Sequence, residues 1–119
     1  MYVAADLPPG DLAGFFCFGT AAQVPGGRFC GVYDDVETLD VGLGLRPDLT
    51  GRGLGLSFVR AGLDSATERF GPAALRLTVA VFNRRAVTVY ERAGFQPIRQ
   101  FNSHTTQGVT DFLLMLRKA

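Results

Sequence analysis

The apolar residues of this chain follow two periods, one typical of strands and one typical of helices. The segments Tyr2–Ala5 and Leu12–Phe18 are short, apolar and separated by the turn Pro8-Pro9-Gly10-Asp11. They predict two antiparallel strands. Residues 20–36 contain turn residues and little periodicity, which predicts a long loop or an irregular extension of the hairpin.

Four later segments also have the pattern of strands. The third predicted strand has one apolar face and one nearly bare face, because Leu39, Val41, Leu43 and Leu45 alternate with Asp40, Gly42 and Gly44. Alternation over Leu75–Val81 predicts a fourth strand. The segments Phe95–Phe101 and Thr110–Leu116 predict the last two, joined by the polar stretch Asn102–Gly108.

Two segments between these strands have helical spacing. Apolar residues at positions 56, 59, 63, 66 and 70 form a stripe that predicts a helix ending at Gly71-Pro72. Asn83 is suited to cap a second helix that runs through Ala93, and Gly94 follows in the usual terminating position.

The predicted order is β-β-β-α-β-α-β-β, and its centre is a β-α-β unit. Such a unit makes its two strands parallel, so we expect an α/β (α+β) fold with a mixed sheet. The chain has 119 residues, of which 47% are apolar. This size and composition predict one domain over residues 1–119 with its own core.

The charge balance and the rare residue types exclude several classes of function. Twelve basic and eleven acidic residues give a net charge of +1, which does not favour a nucleic acid or an anionic membrane as partner. The sequence shows no membrane span or signal peptide, so we expect a cytoplasmic protein. Two separate cysteines, Cys17 and Cys30, and the single His104 predict neither a disulfide framework nor a metal site.

The turn before the first predicted helix is rich in glycine. Gly51-Arg52-Gly53-Leu54-Gly55 joins a strand to a helix, where unpaired N–H groups and the helix dipole favour an anion. The segment is not a P-loop, because Leu56-Ser57 follows it, and its glycine spacing does not fit the dinucleotide fingerprint. The glycines alone fit either an anion site or a tight turn.

The residues around this turn resemble a known family. The segment Thr50–Gly55 is similar to the motif Gln/Arg-x-x-Gly-x-Gly/Ala, with which the GNAT superfamily of N-acetyltransferases binds its coenzyme. The segment Asn83–Phe95, with Ala86, Tyr90 and Gly94, resembles the second motif of that family. The resemblance implies a GNAT-like fold and the transfer of an acetyl group from acetyl-CoA to a primary amine of a small molecule or a protein terminus.

In such enzymes the amides of the turn hold the pyrophosphate of acetyl-CoA, and the pantetheine arm lies along the preceding strand. The resemblance implies that the thioester lies between Leu43–Leu45 and Val79–Val81. It also implies a set of residues that contact the coenzyme: Leu43, Leu45, Thr50, Gly51, Arg52, Gly53, Leu54, Gly55 and Asn83. Thr50 departs from the family's Gln or Arg, so we expect altered contacts at that position. Asn83 is equally explained as a helix cap.

Acetyl transfer needs a neutral amine and a proton for the departing thiolate. Tyr90 occupies the position of the family's proton donor, although a tyrosine in the core would fit the same pattern. Asp40 is a candidate base because it shares a strand face with Gly42 and Gly44, and Glu37 is the alternative base. Either carboxylate would also fit a solvated strand end.

GNAT domains usually have a strand and two helices ahead of the strand predicted at Tyr2–Ala5. The resemblance therefore covers the later two-thirds to three-quarters of the family fold, through truncation or natural shortening. Without those elements some apolar side chains lack cover, and we expect a homodimer that buries them: Tyr2, Val3, Leu12, Phe16 and Phe18. The alternative function is a non-catalytic module that binds acyl-CoA or a partner.

Overall fold

The computed structural model describes residues 2–7, 11–29, 31–33, 37–45, 54–106 and 108–119. In this part of the chain six strands form one sheet in the order β1-β2-β3-β4-β6-β5. The strands are β1 (Tyr2–Leu7), β2 (Asp11–Phe18), β3 (Thr38–Leu45), β4 (Ala74–Ala80), β5 (Gln96–Thr105) and β6 (Gly108–Lys118). The helices are α1 (Pro25–Phe29), α2 (Leu54–Phe70) and α3 (Arg84–Arg92).

The sheet is mixed, as the sequence predicts. Strands β3 and β4 are parallel and are joined through α2, whereas the other neighbouring pairs are antiparallel. The long elements follow each other along the chain in the predicted order. The β3-α2-β4 unit therefore stands at the centre of the sheet, where its strand ends and helix termini meet.

The prediction of an irregular segment over residues 20–36 was wrong in part. Residues Gly19–Ala22 form one turn of 3₁₀ helix, and α1 follows at Pro25–Phe29. The sequence does not predict α1, because two of its five residues are glycines. A Cβ atom at Gly26 would lie 2.6 Å from the Cβ of Ser103, and one at Gly27 would lie 2.6 Å from the ring of Tyr33. These glycines allow close tertiary packing, which outweighs their low helix propensity.

The polar stretch Asn102–Gly108 was also predicted incorrectly as a connection between strands. It extends the last hairpin, because β5 continues to Thr105 and pairs with the first residues of β6. Strand β5 lies at the edge of the sheet, and most of its side chains are exposed. Polar residues suit such a strand, so alternation of apolar residues is lost there.

The main core lies between one face of the sheet and helices α2 and α3. The predicted stripe of α2 supplies Val59, Leu63 and Ala66, which are buried against Val41 of β3 and other strand residues. Phe16 and Phe18 join this core and are each 6% exposed. They therefore do not need a second copy of the chain for cover, and self-association stays a prediction.

The opposite face of the sheet carries a smaller cluster. Tyr33, Phe101 and Leu114 are buried there, with Val24 and Phe112 packed against them. The segment from the 3₁₀ turn to Tyr33 thus covers part of this face. None of the helices in the described part of the chain is long and apolar enough to cross a membrane.

Candidate coenzyme and active site

Strands β3 and β4 diverge toward their carboxyl ends. Their paired residues run from Thr38–Ala74 to Val41–Leu77. Beyond that point β3 remains paired with β2 as far as Leu45, and β4 remains paired with β6 as far as Ala80. The facing edges of β3 and β4 therefore lack a strand partner among the described residues, and a gap opens between them at the position where the family resemblance predicts the thioester.

A cleft of about 610 Å³ adjoins this gap on the face that carries α2 and α3. It is lined by residues from the end of β3, the first turns of α2 and one side of α3: Leu43, Gly44, Gly55, Leu56, Phe58, Val59, Asn83, Arg85, Ala86, Thr88, Val89, Tyr90 and Arg92. Four of the predicted site residues therefore meet in one place, namely Leu43, Gly55, Asn83 and Tyr90.

The other predicted coenzyme contacts are placed by the backbone or lie outside the described residues. Leu45 is the last residue of β3, and Leu54 is the first residue of α2. Thr50, Gly51, Arg52 and Gly53 fall in the part of the chain that the structure does not describe. The amino-terminal end of α2 reaches the cleft at Gly55 and Leu56, and the first N–H groups of a helix together with its dipole favour an anion at such a position.

Asn83 lies between the end of β4 and the start of α3. Its Oδ1 atom accepts a hydrogen bond of 3.2 Å from the backbone N–H of Ala86, so the predicted cap is present. An asparagine amide has two N–H donors as well. These remain available to a ligand in the cleft while the oxygen caps the helix.

Tyr90 lies about two helical turns beyond Asn83 and is 9% exposed. Its ring packs edge-on against Phe95, with ring centroids 6.3 Å apart. Burial raises the pKa of Tyr90 to about 12. The hydroxyl is therefore neutral at physiological pH and can donate a hydrogen bond; within the described part of the chain it makes none.

Asp40 lies in a closed set of polar contacts on the other face of the sheet and is 4% exposed. It is the direct register partner of Arg76 on β4. Arg76 Nε and Nη2 lie 2.6 and 2.9 Å from the two carboxylate oxygens, and Gln23 Nε2 donates a further bond of 2.8 Å. Both oxygens of Asp40 are thus occupied, and this carboxylate does not line the cleft.

Glu37 lies at the opposite end of β3 from the cleft. It lines a separate concavity of about 470 Å³ with Phe70 and Ala73. Seven residues of extended strand separate the two ends of β3, a distance of roughly 20 Å. The structure therefore brings neither of the two predicted base candidates to Tyr90.

The sequence pattern predicts that Gly42 and Gly44 leave one face of β3 nearly bare. The structure corrects this interpretation, because side chains of β2 cover both positions. A Cβ atom at Gly42 would lie 2.5 Å from Cys17 Sγ, and one at Gly44 would overlap the ring of Phe15. These glycines accommodate their cross-strand neighbours, and the accessible face at this end of β3 is the one that carries Leu43.

Sequence analysis missed the polar residues of α3 that line the cleft. Arg85, Thr88 and Arg92 occur at intervals of three and four residues, which places them on one side of a helix. No described carboxylate is among the residues that line the cleft. The spacing of the arginines relative to Asn83 was a signal that could have identified a cationic side of the site.

The comparison with known protein families gives one match. Residues 15–96, more than half of the chain, match the family described as the Acetyltransferase (GNAT) domain. No curated protein sequence matches the chain.

Solved structures with the same fold are numerous. A mutant of the spermidine N-acetyltransferase SpeG from Vibrio cholerae has 17% sequence identity and a TM-score of 0.76, over 98% of this chain and 64% of that protein. The structure of AAC(6')-Ib in complex with ribostamycin and coenzyme A has 20% identity and a TM-score of 0.72, over 98% and 63%. This chain thus spans less than two thirds of the length of either protein. At these identities the likeness shows the fold. The match over residues 15–96 establishes that this chain belongs to the GNAT acetyltransferase family.

Proposed function

We propose that this chain is an N-acetyltransferase that moves the acetyl group of acetyl-CoA to a primary amine. The observation that carries the proposal is the meeting of three features in one cleft. The end of β3, the amino-terminal end of α2, and the pair Asn83 and Tyr90 all line the same cleft, and this cleft adjoins the gap between β3 and β4.

The coenzyme fits the charge and shape of this cleft. Its apolar wall contains Leu43, Phe58 and Val89, and its polar side contains Arg85 and Arg92. Cations without carboxylates favour a polyanion such as coenzyme A. The pantetheine arm would lie along the free edge of β3, with the pyrophosphate at the start of α2.

Tyr90 stabilises the departing sulfur by donating a hydrogen bond in this proposal. The amine nitrogen attacks the thioester carbon, a C–N bond forms, and the C–S bond breaks with its electron pair going to sulfur. A thiol has a pKa near 8.5, whereas that of Tyr90 is about 12. Complete transfer of the tyrosine proton to the thiolate would cost ~5 kcal/mol. Hydrogen bonding stabilises the developing charge without this transfer.

The proton that the amine loses must leave by another route. No described carboxylate lines the cleft, and Asp40 is held by Arg76 and Gln23. The cleft is open to solvent along α3, where Arg85 and Arg92 are exposed. We therefore propose that water accepts this proton and carries it to solvent or to the thiolate. This proposal replaces Asp40 and Glu37 as the expected bases.

A thiol-release assay with a panel of amines tests the proposed activity. The panel includes spermidine and ribostamycin, because these amines appear with the structurally similar proteins, together with a peptide that has a free amino terminus. Release of coenzyme A that depends on one amine supports transfer. Release at the same rate without amine indicates hydrolysis and contradicts the proposal. Ser57→Ala, on an exposed position of α2, serves as the matched control.

A second function is binding of acyl-CoA without transfer. Two observations favour this alternative. Asp40 is paired with Arg76, and no described carboxylate lines the cleft. The alternative predicts tight binding of acetyl-CoA and no thiol release with any amine. The two functions therefore share the coenzyme site and differ in turnover alone.

A further inference from the structure

The pairing of β3 with β4 ends abruptly on the face opposite the cleft. Asp40 and Arg76 are the last partners there, and they form the buried ion pair. Gly42 and Thr78 follow them on the same face and are no longer paired with each other. Unpaired N–H and C=O groups on two facing edges favour further pairing. The open gap therefore depends on contacts that hold β3 and β4 apart at this first unpaired row.

Thr78 is held by a buried hydroxyl that comes from outside the sheet. Its Oγ1 atom lies 2.6 Å from the hydroxyl oxygen of Tyr33, and Tyr33 is buried. The same oxygen accepts a hydrogen bond of 3.1 Å from the backbone N–H of Val24. The position of the Tyr33 ring does not depend on these bonds alone, because Phe101 and the Arg76 guanidinium pack against it. Phenylalanine at this position would therefore keep the ring in place and remove only the hydroxyl.

Tyr33 belongs to a segment that crosses this face of the sheet. This segment, residues 23–29 and 31–33, is called the strap below. It bonds to one residue on each of three strands: Gln23 to Asp40 on β3 at 2.8 Å, Tyr33 to Thr78 on β4 at 2.6 Å, and Gly26 to Ser103 on β5 at 2.9 Å. Of these bonds, the one from Tyr33 reaches the first unpaired row. On the β3 side of that row, Gly42 packs under Cys17 of β2. The two strands are thus held by different neighbours where the gap begins.

We propose that Tyr33 is a positioning residue for the pantetheine arm of acetyl-CoA. Its hydroxyl binds Thr78 and keeps the end of β4 from pairing with β3, so the free edge of β3 stays open to the arm. Tyr33 does not touch the coenzyme, because it lies on the face opposite the cleft. The inference rests on the proposed coenzyme site and states what keeps that site open.

Calorimetry with two ligands tests this inference. Acetyl-CoA has the pantetheine arm, whereas adenosine 3′,5′-bisphosphate lacks it. The apparent affinity for a ligand falls with the fraction of the protein in which its site is formed. Loss of one buried, hydrogen-bonded hydroxyl in Tyr33→Phe should therefore weaken the binding of acetyl-CoA by about 5- to 10-fold. The bisphosphate does not enter the gap, so its affinity should change by less than about 2-fold.

Variants of Thr78 separate the hydrogen bond from the general stability of the fold. Thr78→Val keeps the shape of the side chain and should weaken acetyl-CoA binding as much as Tyr33→Phe does, whereas Thr78→Ser keeps the hydroxyl and should retain at least about half of the wild-type affinity. The double variant Tyr33→Phe/Thr78→Val should bind no more weakly than either single variant, because both changes remove the same bond. Ser103→Ala is the matched control. It removes the bond of the strap to β5, which β6 separates from β4, and should leave the affinity for acetyl-CoA unchanged.

Three outcomes overturn the inference. Wild-type affinity for acetyl-CoA in both Tyr33→Phe and Thr78→Val would show that the gap stays open without this bond. An equal loss for acetyl-CoA and the bisphosphate would assign the hydroxyl to the stability of the whole domain. Either result leaves the coenzyme cleft intact, whereas binding of neither ligand by the folded wild-type chain refutes the proposed function as well. Thermal unfolding of each variant confirms that it is folded, and Thr78→Val decides the question if Tyr33→Phe does not fold.

Discussion

The buried pair of Asp40 and Arg76 provides a direct test of the assignment of Asp40 to structure rather than to catalysis. Each side chain is 5% exposed, and the two Arg76 contacts are 2.6 and 2.9 Å long. Arg76→Met would leave the carboxylate of Asp40 buried with Gln23 as its remaining partner. Removal of one member of such a pair costs ~3–5 kcal/mol of the free energy of unfolding.

This loss is large for a chain of 119 residues, since a domain of that length has a total stability of roughly 6–18 kcal/mol. It corresponds to a fall in Tm of about 10–25 °C. Urea denaturation followed by circular dichroism measures the free energy, and a thermal scan measures Tm. The double variant Asp40→Leu/Arg76→Met removes both charges, so it should recover at least half of the loss.

Two results would refute this account of Asp40. One is a loss below ~1 kcal/mol in Arg76→Met, which would mean that the pair is not buried as described. The other is an Asp40→Asn variant that has wild-type stability and yet no acetyl transfer, which would restore Asp40 as a catalytic base. Binding of acetyl-CoA should stay within about 3-fold of wild type in Arg76→Met below its Tm, because Arg76 does not line the cleft.

Three further predictions concern substitutions at single positions. Tyr90→Phe keeps the ring and should lower turnover by about 10²-fold without loss of acetyl-CoA affinity; a wild-type rate in the thiol-release assay would contradict the role of its hydroxyl. Because folding raises the pKa of Tyr90 from 10.0 to about 12, its stabilising effect is complete below pH 10 and is lost as the pH rises toward 12. Urea denaturation between pH 9 and 11.5 should show a steeper alkaline loss in wild type than in Tyr90→Phe, and parallel curves would exclude this linkage. Gly42→Ala should lower the free energy of unfolding by ~1–3 kcal/mol, because the added methyl group clashes with the side chain of Cys17. The double variant Gly42→Ala/Cys17→Ala should recover most of this loss in the same assay. A single variant with unchanged stability would show that the neighbouring strands separate easily.

Local patterns predict the elements around the site because each depends on residues close in sequence. The stripe of α2 and its end at Phe70 follow from apolar spacing and Gly71-Pro72. The start of α3 follows from Asn83, whose side chain accepts the expected bond. Gly94, with a φ of 102°, ends the helix as predicted.

The remaining features depend on contacts between distant segments. Asp40 and Arg76 are 36 residues apart, and each looks like an isolated charge within its own strand. Only the parallel register of β3 and β4 makes them partners. The glycines of α1 also depend on distant contacts, because helix propensity does not reveal their packing against Ser103 and Tyr33.

The location of the coenzyme is the central claim, and an NMR titration of the ¹⁵N-labelled chain with acetyl-CoA tests it most directly. The account predicts that chemical-shift changes concentrate at Leu43–Leu45, Gly55 and Asn83–Tyr90, which border the gap and the cleft. The concavity at Glu37 and Phe70–Ala73, at the other end of β3, should stay unchanged and serves as the internal control. Changes confined to that concavity, or no changes at millimolar acetyl-CoA in a folded chain, would contradict the account.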